Sequence, residues 1–138
     1  MAKVPFHYVD LRAFCYETES EARVEQALRT FLPDEFELER TTSEGYHGDR
    51  IVILSARVER ADDVRHVFAQ LGELRDLERV RDEIEDRVDD NCSLFLRLDK
   101  QAAYRGEPAL GEGITLRAKV EAYPAKKHIA VETVRDWL

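Results

Sequence analysis

Apolar and polar residues alternate along residues 7–16. Val9, Leu11, Ala13 and Cys15 fall on one side and Tyr8, Asp10, Arg12, Phe14 and Tyr16 on the other. A period of two is that of a strand with one buried face. The alternation returns at 92–98, where Leu94, Leu96 and Leu98 oppose Phe95 and Arg97. It returns again at 114–123, where Ile114, Leu116, Ala118, Val120 and Ala122 oppose Thr115, Arg117, Lys119, Glu121 and Tyr123. Segments 36–42 and 50–58 read as two more strands. They flank Ser43-Glu44-Gly45-Tyr46-His47-Gly48-Asp49, a hairpin loop marked by its two glycines. A tight loop of this kind predicts a positive φ at Gly45 or Gly48, with Tyr46 and His47 exposed at the tip.

Elsewhere the apolar spacing is close to the helical period. Thr18 and Glu21 have the spacing of a capping box; Ala22, Val24, Ala27, Leu28, Phe31 and Leu32 follow, and Pro33 stops the pattern. Residues 62–90 predict one long helix bent near Gly72. Its first stripe is Val64, Val67, Phe68 and Leu71, and its second is Leu74, Leu77, Val80, Ile84 and Val88. After Pro124 a last helix has Ile129, Ala130, Val134, Trp137 and Leu138 as its apolar side. Five strands without regular βαβ alternation predict an α+β fold: a twisted, mainly antiparallel sheet with helices packed on one face, in a single domain over 1–138. The helices should cover Val9, Leu11, Leu94, Leu96, Leu116 and Val120. The opposite face would show Tyr8, Arg12, Phe14, Arg57, Phe95, Arg97, Arg117 and Lys119.

Composition narrows the class. With 43% hydrophobic residues in 138, the chain can bury a real core and is not a disordered segment. No uncharged apolar run is long enough to cross a bilayer as a helix, and the first residues lack the apolar stretch of a signal peptide, so a cytoplasmic protein away from membranes is expected. Cys15 and Cys92 fall on apolar sides of strand-like segments and read as buried residues rather than a disulfide. The four histidines are scattered, without zinc-ligand spacing, so no structural metal or cofactor is expected. The net charge is −8, and only five of the 21 basic residues are lysine. Abundant surface acid with little lysine suits a salt-adapted, halophilic cytoplasm. The charge is unevenly spread: residues 59–90 carry twelve acids and six bases, whereas 97–128 carry four acids and seven bases.

The basic segment holds the candidate chemistry. Leu94–Gly106 reads as a strand running into one turn of helix, with Asp99 as its cap and Gly106 as its end. Open N–H groups at that helix start, beside Lys100, Gln101, Tyr104 and Arg105, would suit a phosphate-bearing partner. The alternative is an ordinary strand–turn with a solvated basic rim. Arginines interleaved with aromatic rings on the far sheet face would form a platform for single-stranded nucleic acid. Against this stands a face covered by loops or a second subunit, with Asp10, Asp99 and Glu121 pairing the arginines.

At Leu98-Asp99-Lys100-Gln101-Ala102-Ala103-Tyr104-Arg105-Gly106, preceded by Glu44-Gly45-Tyr46-His47-Gly48-Asp49 and followed by Gly111-Glu112-Gly113-Ile114-Thr115-Leu116, the chain resembles an archaeal family of small proteins. These are described as RNA-binding proteins or predicted exosome subunits. The resemblance covers nearly the whole chain. It implies a fold similar to that of the ribosomal protein holding the small RNA of the large subunit, a twisted sheet with helices against one face. This sequence departs from the family in its heavy acidity, which weakens backbone-driven RNA binding.

The leading expectation is a non-catalytic protein that binds single-stranded or looped RNA, as an accessory to RNA processing or ribosome assembly. Arg97, Lys100, Arg105, Arg117 and Lys119 would meet phosphates; Tyr46, Phe95 and Tyr104 would stack on bases; His47 and Gln101 would offer hydrogen bonds. One alternative is a metal-dependent phosphoesterase with Asp10 and Asp99 as ligands, although no Walker loop, nucleophile elbow or paired metal motif is present and no catalytic residue stands out. Another is a subunit of a protein complex, using the apolar stripe within 74–88 against a partner helix. The sequence leaves the oligomeric state open.

Overall fold

The computed structural model describes residues 4–45 and 47–138. Five strands, β1 (Phe6–Tyr16), β2 (Glu39–Glu44), β3 (Arg50–Val58), β4 (Ser93–Asp99) and β5 (Gly113–Val120), form one sheet in the order β2-β3-β1-β5-β4. Every pairing is antiparallel. The helices are α1 (Glu21–Arg29), α2 (Ala61–Leu71), α3 (Leu77–Asp82), α4 (Ile84–Arg87), α5 (Lys100–Tyr104) and α6 (Lys127–Trp137). The expected α+β architecture, with an antiparallel five-stranded sheet, is the one observed.

The register explains why one face of the sheet is dry. Across the strands, Leu11 pairs with Ala56 on one side and Leu116 on the other, and Leu116 pairs in turn with Leu96. Val9, Val58, Ala118 and Leu94 form the neighbouring row, and Ala13, Leu54, Ile114 and Leu98 the next. All of these residues are buried and belong to one core cluster with Val24, Leu28, Phe31, Val64, Leu71, Val80, Ile84 and Val134 from the helices. Phe6 stacks on Phe68 at 4.2 Å between centroids, and Trp137 meets both rings edge-on, tying β1 to α2 and α6. Cys15 and Cys92 lie unbridged within this core.

Several boundaries differ from expectation. The helix expected over 62–90 is broken into α2, α3 and α4: residues 72–76 turn toward another loop between α2 and α3, and α3 passes to α4 at Glu83. Arg75 N–H donates to the Pro108 carbonyl, and Asp76 Oδ2 accepts from Leu110 N–H. Apolar periodicity continues through such a break, so it could not reveal it. The stripe suggested as a partner surface is spent inside the molecule: Leu74, Val80, Ile84 and Val88 are buried and Leu77 packs against the core. The cap of α1 is Ser20, which accepts from Arg23 N–H, rather than Thr18. The second strand starts three residues later than expected, because Phe36 and Leu38 turn into the core before pairing begins. In the hairpin Gly48 has φ +79° and His47 is exposed, as expected, while Tyr46 lies outside the described residues.

The β4–α5 junction is held by an internal lock. Asp99 caps α5 as expected, accepting from Gln101 and Ala102 N–H. Lys100 N–H donates to the Glu112 carbonyl. The Lys100 side chain, only 8% exposed, runs back beneath β1, where Nζ donates to Glu19 Oε1 at 2.7 Å and to the Phe14 carbonyl at 2.8 Å. Its stem passes directly over Gly113, where an added Cβ would come within 2.6 Å of Lys100 Cβ and φ is +110°. A Cβ on Gly111 would likewise meet Asp99 at 2.5 Å. The glycines of Gly111-Glu112-Gly113 are thus the space into which Asp99 and Lys100 pack. Thr30 Oγ1 and Gln26 Nε2 donate to the carbonyls of Ala103 and Tyr104, fastening α5 to α1.

Two stability predictions follow from this packing. Leu96→Ala should lower unfolding free energy by about 2–5 kcal/mol in urea titrations, as for other large-to-small changes in a packed core. Lys100→Met should cost about 1–3 kcal/mol at neutral pH, by removing the ammonium that the Phe14 carbonyl and Glu19 share. The effect of that second change should depend on pH. Burial pushes the Glu19 carboxyl up, but the Lys100 ammonium and the Tyr16 N–H outweigh it and hold it below its usual 4.5. A depressed native pKa contributes stability above the unfolded value and loses it as pH falls through the folded one. The gap between wild type and Lys100→Met should therefore narrow in acid; a gap that widened would contradict the pairing.

Candidate nucleic-acid interface

The face of the sheet opposite the helices carries the side chains that alternate with the core. Register places them in rows running across the strands. One row reads Arg57, Asp10, Arg117 and Phe95, from β3 through β1 and β5 to β4. The next reads Ser55, Arg12, Thr115 and Arg97. Beyond the first row, Tyr8 pairs with Lys119. Arg57, Ser55, Arg12, Asp10, Arg117 and Phe95 line one shallow concavity.

Asp10 organises the first row. Its two oxygens accept a two-point contact from Arg57 Nε and Nη2, both at 2.9 Å, and Arg117 Nη2 reaches Oδ2 at 3.2 Å. The Arg57 guanidinium lies over the Tyr8 ring at 4.1 Å from its centroid, and that of Arg117 at 5.8 Å. Burial pushes the Asp10 carboxyl up, but Arg57 and then Arg117 outweigh it and hold it below its usual 3.8. Phe95, 44% exposed, extends the row as an open aromatic surface. The arrangement offers planar cations and two rings at a surface that no described helix covers. It is suited to stacking against unpaired bases.

The structure divides the residues singled out from the sequence. Phe95, Arg97, Arg117 and Lys119 share the open face, with Lys119 Nζ donating to the Asn91 carbonyl. Gln101, Tyr104 and Arg105 sit instead on or just after α5, in a cleft against α1, where Arg23 lies 5.6 Å from the Tyr104 ring centroid. His47 is at the tip of the β2–β3 hairpin, apart from both groups.

Three expectations are corrected. The start of α5 is closed to an outside anion, because the Asp99 carboxylate and the Glu112 carbonyl already take its N–H groups. Lys100 is not a surface phosphate contact, because its ammonium is enclosed by Glu19 and Phe14. Asp10 and Asp99 do not meet either. They stand two strands and four register positions apart, Asp10 bound to arginines and Asp99 to the helix start.

Tyr8, Arg12 and Arg57 join the site although the sequence singled them out only as members of a face. The signal was their alternation with buried residues. What the sequence lacked was the strand order that sets β1 between β3 and β5.

Comparison with known proteins gives this face a context. A family model described as RNA binding matches residues 8–120. The chain is similar to RNA-binding protein PAB1135 of Pyrococcus abyssi, 34% identical over 99% of this chain and 96% of the relative. Its fold matches the crystal structure of AF2318 from Archaeglobus fulgidus with a TM-score of 0.86 at 28% identity, covering 96% of this chain and 99% of the other. It matches Mth689 of Methanothermobacter thermautotrophicus, described as a DUF54 protein, with a TM-score of 0.80 at 42% identity, covering 96% and 98%. On the extent of the family match and of these alignments, the chain belongs to the archaeal RNA-binding family that includes the DUF54 proteins.

Proposed function

We propose that this protein binds single-stranded or looped RNA on the uncovered sheet face, as a non-catalytic accessory to RNA processing or ribosome assembly. The observation that carries this reading is the row Arg57–Asp10–Arg117–Phe95, with Tyr8 beneath both guanidiniums, on a face that no described helix covers. Its physics favours unstacked bases. A flat surface of rings and guanidiniums gains stacking energy only from bases that are free to lie on it, and those inside a duplex are not. The overall charge of −8 opposes indiscriminate backbone attraction, so contacts made base by base count for more. The family assignment and the name of the Pyrococcus relative support RNA as the nucleic acid.

The reading predicts a preference and a location. Labelled single-stranded and hairpin-loop RNA should bind more tightly than duplex DNA of the same length in fluorescence anisotropy. Phe95→Ala should weaken RNA binding by roughly 1–3 kcal/mol, the usual worth of one stacked base, with little change in salt dependence. Tyr104→Ala with Arg105→Ala should leave affinity near wild type. If that pair abolishes binding while Phe95→Ala does not, the cleft between α1 and α5 is the site and the sheet face is not.

A further inference from the structure

The two middle rows of the open face differ in how far their charges are already satisfied. In the first, Asp10 accepts from both Arg57 and Arg117, and both guanidiniums lie against Tyr8. A phosphate approaching either arginine must compete with a carboxylate already in charge-assisted contact, at two points with Arg57 and at one with Arg117. In the second, Arg12 makes no ion pair and no side-chain hydrogen bond among the described residues. The hydroxyl residues Ser55 and Thr115 flank it in register, about 5 Å away on each neighbouring strand. Arg97 ends the row, 75% exposed, with only the distant Glu112 carboxylate at 3.9 Å. Glu39, paired with Ser55 at the β2 end, and Asp10 of the first row line the same concavity as Arg12.

Resting on the RNA-binding reading above, we infer that the row Ser55–Arg12–Thr115–Arg97 is the phosphate track of the face, and that Asp10 is a positioning residue that withholds Arg57 and Arg117 from phosphates. An arginine with five unclaimed donors between two hydroxyls is the chemistry that grips a phosphate oxygen. The arginines tied to Asp10 keep their planes while the carboxylate cancels one of their two charges, so with Tyr8 and Phe95 they serve as a surface for bases. The rows lie about 7 Å apart, two residues along an antiparallel strand, so a backbone following one can lay its bases on the other. The consequence is selectivity: the carboxylate sacrifices attraction to any polyanion and leaves attraction to exposed bases.

The test is a salt series with two conservative variants, each checked for folding by thermal unfolding. Labelled oligoadenylate RNA and a duplex DNA of equal length serve as probes. Arg12→Gln should weaken RNA binding and flatten the slope of log affinity against log salt by about 0.7, the contribution of one phosphate contact to a single strand. Asp10→Asn should do the opposite. It should bind both probes more tightly, steepen the salt slope, and shrink the preference for RNA over duplex DNA. A role for Asp10 in folding alone would lower the melting temperature without steepening the slope, and that result overturns the assignment. An Arg12→Gln slope equal to that of wild type overturns the phosphate track even if Asp10→Asn fails to fold. Wild-type protein that binds no RNA at low salt defeats the RNA-binding reading itself, whereas salt-sensitive wild-type binding unchanged by Arg12→Gln defeats only the division between rows.

Discussion

The pairing of β1 on both of its edges is the constraint on which the rest depends. Val9–Tyr16 pair with β3 on one side and Phe6–Ala13 with β5 on the other, so Val9–Ala13 are held on both edges. Because side chains alternate, this double register fixes two surfaces at once. Leu11 joins Ala56 and Leu116 in the core, while Asp10, one residue away, joins Arg57 and Arg117 on the open face. A slip of one residue would bury Asp10 and Arg12 and expose Leu11. The hydrophobic face therefore sets the geometry of the charged one, and the rows of the candidate interface follow from how the core packs.

The second fixed point is the buried Lys100. A lysine ammonium is costly to desolvate, and it stays in place here because a carboxylate and a carbonyl meet it under β1. That contact ties the end of β4 to the segment between β1 and α1, places distant in sequence and attached to strands that β5 separates in the sheet. Gly111 and Gly113 leave room for Asp99 and Lys100 to pass, so the Asp-Lys and Gly-Glu-Gly segments act as one device. The start of α5 and the Lys100 ammonium, which look like an anion site in sequence, have their donors taken internally.

The charge of the chain is arranged with similar economy. The long acidic stretch after β3 forms the outer sides of α2, α3 and α4, where Arg79 and Arg87 meet Glu83 within the helical segment. On the sheet face the cations are arginines, apart from Lys119. The difference matters because guanidinium is planar and weakly hydrated. It can hold a carboxylate at two points and lie on a ring at the same time, as Arg57 does between Asp10 and Tyr8. A lysine there would keep the charge and lose the plane.

The sequence by itself determined the strands, their buried faces and the membership of the open face, because alternation is a local property that burial imposes on each strand separately. It also determined the Asp99 cap, the Gly106 stop and a glycine turn at Gly45 or Gly48, of which the structure takes Gly48, since each rests on one residue's own geometry. The break after Gly72 depended on hydrogen bonds to Pro108 and Leu110, more than thirty residues away, which no helical period encodes. The fate of Lys100 depended on Glu19 and Phe14, brought to it only when β1 and β5 pair. Which arginines meet a carboxylate and which stand free is likewise a matter of strand order. Tertiary structure decided these points because a charge is defined by its neighbours, and here the neighbours come from other strands.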